Sequence, residues 1–346
     1  MPKSELPVPP HFDKQKWDKV WRVDYLKVAE EAENWRKKHN IQAASNDKFK
    51  VCLLLVDVQN TFCLPDFELF VAGRSGKAAV EDCKRTCEFI YKNLKSITQI
   101  AATMDTHYAM QIFHPVFLVD KNSQHPAPFT LISENDIKRG VWKFNPEIAM
   151  ALNINEKYAQ KYLQYYTNQL KKSGKYSLTV WPYHAMLGGI GHALVSSVEE
   201  SIFFHSIARN SQADFQVKGN NPLTEHYSIL GPEVARDFES KQIEPKNDKF
   251  MDKLLGFDAI IIAGQAKSHC VAWTINDLLS GIIKRNKELA KKIYLLEDCT
   301  SPVVVPGVVD YTEQADEAFR KFKSAGTNIV KSTQPIESWR GINLRQ

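Results

Sequence analysis

The spacing of a few short, unbroken apolar runs most limits what this chain can become. Residues 51–56 read VCLLLV, residues 97–102 read ITQIAA, and residues 259–263 read AIIIA. Weaker runs follow at 293–296 and 328–330, and ADFQVK at 213–218 is strand-like and short. A strand apolar on both faces belongs in a sheet covered on both sides, which is the habit of parallel sheets. Between the runs, residues 78–94, 194–208, 270–285 and 312–324 place apolar residues at helical spacing. Strands alternating with amphipathic helices predict an α/β, doubly wound, mostly parallel six-stranded sheet with helices on both faces.

Two segments stand outside the alternation. Residues 1–50 open with Pro7, Pro9 and Pro10, then carry Val20, Val23, Leu26 and Val28 at helix-like intervals between Trp17 and His39. An N-terminal helical arm packed on the body, or on a second subunit, is expected there, with the main domain at 51–346. Residues of about 120–178 hold KNSQHPAPF and then the polar, aromatic stretch EKYAQKYLQYYTNQLKKSGKY. This predicts an insertion carrying one helix, placed as a lid or an oligomer contact.

Charge and cysteine content narrow the function. The net charge of +5 arises from 45 basic and 40 acidic residues spread without blocks, so neither nucleic acid nor membrane is an expected partner. The six cysteines form no CxxC pair, which suits a reducing compartment. MPKSELPVPPHF lacks the apolar core of a signal peptide, and the expected location is the cytoplasm.

In a doubly wound sheet, ligands bind beyond the carboxyl ends of the strands. The first run ends at Asp57, the second is followed by Asp105-Thr106-His107, and the AIIIA run by GQAKSHC, where Cys270 opens a helix. A carboxylate, a carboxylate with a histidine, and a thiol thus share one rim. A thiol at a helix N-terminus feels the positive end of the dipole, and Lys267 and His269 beside it are expected to favour the thiolate further. The competing reading of Cys270 is a buried structural cysteine. That of Asp57 is a turn former bonded to its own loop. Asp105 and His107, two apart on an extended stretch, point to one face and can share a divalent metal, with His114 and His184 as candidates to complete the set. For each histidine the bland alternative is a satisfied loop residue. Lys218, taken alone, reads as one more solvated lysine.

Five motifs in order, DVQNTFC, DTH, WPYHAMLGGIG, VKGNNPLTEHYS and GQAKSHCV, resemble the isochorismatase-like cysteine hydrolases, nearest to their nicotinamidase branch. The resemblance runs from about residue 51 to residue 330. It implies a triad of Asp57, Lys218 and Cys270, and an oxyanion hole from the backbone N–H groups of Ala266 and Cys270, with a cis peptide between Gln265 and Ala266. It implies metal ligands Asp105, His107 and His184, with His114 the weakest match because it lies farther along than usual. Zinc is the expected metal, with iron or manganese as alternatives. Phe62, Trp181 and Tyr227 match positions that sandwich a flat ring. Departures are Ala185, where a cysteine often stands, and Lys267-Ser268, where threonine and aspartate are common.

The activity so implied is hydrolysis of a small, nicotinamide-like heteroaromatic amide to acid and ammonia through a thioester, by a homo-oligomer. Two alternatives stand beside it. One is hydrolysis of an N-carbamoyl or ureido compound, whose carboxylate Lys138, Arg139 or Lys143 of the insertion would grip. The other is a non-catalytic scaffold that retains the fold.

Overall fold

The computed structural model describes residues 5–13 and 15–344. Six strands, β1 (Val51–Val56), β2 (Gln99–Asp105), β3 (Asp214–Lys218), β4 (Ala259–Gly264), β5 (Ile293–Leu296) and β6 (Asn328–Val330), form one sheet. Their order is β6-β5-β4-β1-β2-β3, and every pairing is parallel. The chain builds outward from β1 to β3, then returns to the centre and builds the other way from β4 to β6. Because crossovers are right-handed, the two directions place their helices on opposite faces. All six residues of β1 and of β4 are buried, as continuous apolar runs require.

The predicted helices are present as α2 (Ala78–Lys92), α4 (Ser196–Arg209), α5 (Cys270–Arg285) and α6 (Thr312–Ser324), with α1 (Tyr25–His39) in the arm and α3 (Glu156–Lys172) in the insertion. Expected bounds differ at β2, which begins at Gln99 rather than residue 97, since Ile97 and Thr98 belong to the turn that enters it.

The arm lies on its own body. The Leu6 N–H donates to Lys92 O at 2.8 Å, Trp21 and Ser196 exchange two hydrogen bonds, and α1 packs on α4. The helix starts later than the sequence pattern suggests, at Tyr25, because Asp24 caps it by accepting from Lys27 N–H. Val20 and Leu26, expected on the apolar face, are exposed, and Val28, Ala32 and Trp35 form the buried stripe.

The insertion is richer than one helix. It adds two short antiparallel pairs (Leu118–Val119 with Lys143–Phe144, and Leu131–Ile132 with Leu178–Thr179) and the helices Glu134–Lys138 and Pro146–Ala151. Among the described residues, no helix is long and apolar enough to cross a membrane.

Candidate active site

The strand order reverses between β1 and β4, and that switch point opens a crevice at their carboxyl ends. Asp57 leaves β1 at a φ of 47°, in the left-handed region that aspartate tolerates better than most residues. Cys270 is the first residue of α5, reached from β4 through Gly264 and a short turn. Gly264 is obligatory, because a Cβ there would stand 2.1 Å from Val56 O. Asp105 ends β2 and Lys218 ends β3, paired in register across the two strands.

Lys218 joins these residues. Its Nζ lies 3.0 Å from Asp57 Oδ2, 2.8 Å from Asp105 Oδ1, 2.8 Å from His226 O and 3.6 Å from Cys270 Sγ. The group is sealed, with Lys218 2%, Asp57 0%, Asp105 3% and Cys270 7% exposed. Burial works against the ammonium, but Asp105 and Asp57 outweigh it and raise its pKa well above the usual lysine value. Burial likewise opposes the charge of Asp105, yet His107 and Lys218 hold its carboxyl far below the ordinary range. Asp57 is pushed upward by burial against the pull of Lys218, and its Oδ1 accepts from Thr103 Oγ1 at 2.5 Å.

Cys270 corrects an expectation. Burial raises its pKa well above that of a free thiol, and the pull of Lys218 does not offset it, so the resting group is the neutral thiol. Neither neighbour helps. Lys267 turns outward to Asp316 at 2.6 Å, and burial lowers the His269 pKa to about 3, leaving that ring uncharged. The helix-end position is present, but desolvation is the larger effect.

Next to the thiol, the peptide between Gln265 and Ala266 is cis. Among the described residues the N–H groups of Ala266 and Cys270 have no hydrogen-bond acceptor, while the Ala266 carbonyl takes the N–H of His269 and of Val271. The two unpartnered backbone donors therefore belong to residues that line the same cavity.

Asp105, His107 and His184 bring one ligand atom each to within 4.8 Å of one another. The ring orientations suit a metal. His107 Nδ1 lies 2.9 Å from Gly219 O and His184 Nδ1 lies 2.8 Å from Pro182 O. Both rings thereby turn Nε2 toward Asp105 Oδ2, at 2.9 Å from His107 and 3.8 Å from His184, and a divalent ion would take the place of the proton that His107 Nε2 shares with that carboxylate. His114 repeats the pattern with Nδ1 3.2 Å from Ala109 O, and its buried Nε2 has no partner. Its ring centroid is 5.9 Å from those of His107 and His184, and it falls outside the three-residue group. The donor set fits a divalent ion of borderline softness. Gly219, at φ 84°, lets the chain pass this group, since a Cβ there would stand 2.8 Å from Asp105 Oδ1.

Phe62, Trp181 and Tyr227 line one narrow cavity of about 30 Å³ with Asp105, His184, Ala266 and Cys270. Trp181 Nε1–H donates to Tyr227 OH at 3.1 Å, which fixes both rings. Of two polar lining residues outside the sequence-derived site, Glu225 escaped the sequence reading and His269 was read only as a neighbour of the thiol. Glu225, whose pKa burial raises to about 8, and His269, whose Nε2 is buried without a partner, both face this cavity. The only hint of Glu225 was its place in the LTEHYS run beside Tyr227. Gln59 was also missed. Its side chain accepts from Asp105 N–H and donates to Asp105 O, both at 2.8 Å, and clamps the strand end that bears the carboxylate.

Lys138, Arg139 and Lys143, expected to grip a substrate carboxylate, do not reach the cavity. They line a separate groove of about 870 Å³ within the insertion.

A scan of family models finds no match to the sequence, and neither does a search of curated proteins. Solved structures do match. A yeast nicotinamidase bound to the inhibitor nicotinaldehyde aligns over 81% of this chain and 99% of its own, at 19% identity and a TM-score of 0.50. An Acinetobacter baumanii nicotinamidase/pyrazinamidase covers 82% and 97% at 18% identity, with a TM-score of 0.49. An N-carbamoylsarcosine amidase from Thermoplasma acidophilum covers 83% and 98% at 15% identity, with a TM-score of 0.40. With its all-parallel sheet and helices around it, the chain shares the α/β fold of the yeast nicotinamidase.

Proposed function

We propose that this chain is a cysteine amidohydrolase acting on a small, neutral, planar amide of the nicotinamide type. The observation that carries the reading is the buried Lys218 ammonium joining Asp57, Asp105 and Cys270. A scaffold has no use for a buried lysine between two carboxylates and a thiol, because burying such charges costs several kcal/mol per ion before pairing.

The chemistry follows from the resting protonation. The thiol starts neutral, and its proton passes to Asp57 as Sγ attacks the amide carbon. Lys218 stays charged and offsets the negative charge of Asp57 at rest and of the developing thiolate as the proton leaves Sγ. The developing oxyanion takes the N–H groups of Ala266 and Cys270, and one such donor is typically worth about 3–4 kcal/mol. Asp57 then delivers its proton to the leaving amine. Water hydrolyses the thioester, releasing the acid and restoring the thiol.

Asp105, His107 and His184 are the residues that would hold a divalent metal, with zinc suited to the N/O set and His114 as a further candidate. When bound, the ion would act as a Lewis acid that orients a substrate heteroatom. Phe62, Trp181 and Tyr227 would enclose the ring once the walls part, since the cavity of about 30 Å³ has room for little more than a water, and stacking would then add about 0.5–1.5 kcal/mol per face beyond burial.

Neutrality of the substrate separates this reading from the N-carbamoyl alternative. No lysine or arginine lines the cavity among the described residues, so a substrate carboxylate would find no cationic side chain there. The test is ammonia release from nicotinamide, pyrazinamide, an aliphatic amide of equal size and an N-carbamoyl amino acid, with and without chelator. Turnover of the aromatic amides, lost with the metal and restored by zinc, is expected. Preference for the aliphatic or carbamoyl compound would sink the substrate assignment, and no turnover of any amide would sink the enzyme.

A further inference from the structure

Among the buried charged groups to which the cysteine chemistry proposed above gives no task is Asp82. Asp82 sits on the core side of α2, 2% exposed, and touches neither the thiol nor the cavity. A carboxylate in such a place is costly unless its hydrogen bonds serve something an apolar residue could not. Its Oδ2 accepts from Gln265 Nε2 at 2.9 Å and its Oδ1 accepts from Arg85 at 2.7 Å. Arg85 in turn donates through Nε to Asp298 O.

Gln265 is the residue immediately before Ala266. It is fully buried and held at three points: its N–H donates to Val56 O at 2.7 Å, its Nε2 to Asp82, and its Oε1 accepts from Ser301 N–H at 3.3 Å. Two of the three holds come from the side chain. Gln265 itself does not line the cavity, whereas Ala266 does. The run Arg85–Asp82–Gln265 therefore ends on the peptide that supplies one of the two unpartnered N–H donors.

We propose that Asp82 and Gln265 are a positioning pair for the oxyanion hole, fixing the direction of the Ala266 N–H through the Gln265 side chain. The pair rests on Cys270 being an acyl acceptor. An oxyanion donor contributes only once charge develops on oxygen, so a misaimed N–H slows acyl transfer without weakening ground-state binding. Complete loss of one such donor costs roughly 10²–10³ in rate, and loosening it should cost about tenfold.

The test compares two reactions of the same thiol. Acetylation of Cys270 by p-nitrophenyl acetate forms the S–C bond at a carbonyl, breaks the ester C–O bond, releases p-nitrophenol and needs the oxyanion hole. Alkylation by iodoacetamide displaces iodide at a saturated carbon and does not need it. Gln265→Leu and Asp82→Ala should each slow acetylation about tenfold while alkylation stays within about twofold, and the double variant should be no slower than the slower single. Equal slowing of both reactions, no slowing of acetylation, or additive effects in the double variant would overturn the pair. If Gln265→Leu does not fold, the ratio in Asp82→Ala decides alone. Wild-type protein reports on the underlying reading separately: a Cys270 that alkylates but never acetylates removes both that reading and the pair.

Discussion

The site has two halves built on different principles. The chemical half, Asp57, Asp105, Lys218 and Cys270, stands at the ends of β1, β2 and β3 and at the start of α5. The ends of three strands and the start of α5 set their spacing, so these groups inherit the stiffness of the sheet and of the helix packed on it. The recognition half, Trp181, Glu225 and Tyr227, comes from chain with no regular structure. It is stiffened from outside by the insertion. Tyr158, Tyr162 and Tyr166, four residues apart along α3, lie on one face and bond to the loop at 219–247 through Asp237 Oδ2 (2.6 Å), Leu223 O (2.9 Å) and Glu225 N–H (3.1 Å). Tyr176 ties the end of the insertion to Ser268 O at 3.0 Å. Under the proposed function, rigid elements would carry the reaction and buttressed loops the choice of substrate, a division that lets one fold serve many ligands.

That contrast predicts effects of different size and kind. Cys270→Ala should leave less than about one-thousandth of the turnover with little change in melting temperature, because triad members act as a unit and a rim thiol leaves a small void. Residual ammonia release above a few per cent would move the nucleophile elsewhere. Lys218→Met strikes the rim as structure too. It leaves Asp57 and Asp105 buried without their cation, which should cost about 3–5 kcal/mol of stability along with activity, read from urea unfolding. A stable, inactive Lys218→Met protein would show that Lys218 does not hold the carboxylates together.

Changes in the wall should be milder and selective. Tyr166→Phe removes the acceptor of Glu225 N–H and leaves that group buried and unpaired, at about 1–2 kcal/mol. Steady-state kinetics should show KM rising several-fold with kcat nearly unchanged. A fall in kcat alone would mean that α3 acts on the chemistry and that the two halves are not separate.

The smallest effect lies far from both halves, where His11 of the arm meets Glu31 at 2.8 Å and Glu200 at 3.7 Å. Burial raises the Glu200 pKa to about 7, with Glu31 adding to it. Between the unfolded glutamate value and pH 7 the folded protein keeps a proton that the unfolded chain has lost. Stability therefore falls as pH rises through that window and levels off above it. Glu200→Gln should raise the melting temperature by about 2–4 °C at pH 8 and hardly at all at pH 4.5. A gain of equal size at both values would rule out the proton as its source.

How far the sequence could be read depended on the kind of signal. β1, β5, β6, α5 and α6 were legible to the residue, because unbroken apolar runs and helical periodicity are local properties. Asp57, Asp105, His107 and Cys270 were legible as candidates beyond the ends of apolar runs, whereas Lys218 entered only through the family resemblance. Asp82, Gln59 and Glu225 were not, because each acts on a partner remote in sequence: Gln265, Asp105 and the cavity. The insertion was legible as an interruption carrying one helix, whereas its two short antiparallel pairs were not, because each joins residues remote in sequence.

By itself, then, the sequence determined the alternation of strands and helices and the residue types delivered to one rim, because both follow from local pattern and from where strands end. Tertiary structure decided the protonation of the thiol, the partners of Lys218 and the absence of a cation from the described pocket wall. These depend on burial and on groups brought together across β1, β2, β3 and α5, and desolvation at such a junction outweighs what any one residue's neighbours in the chain suggest.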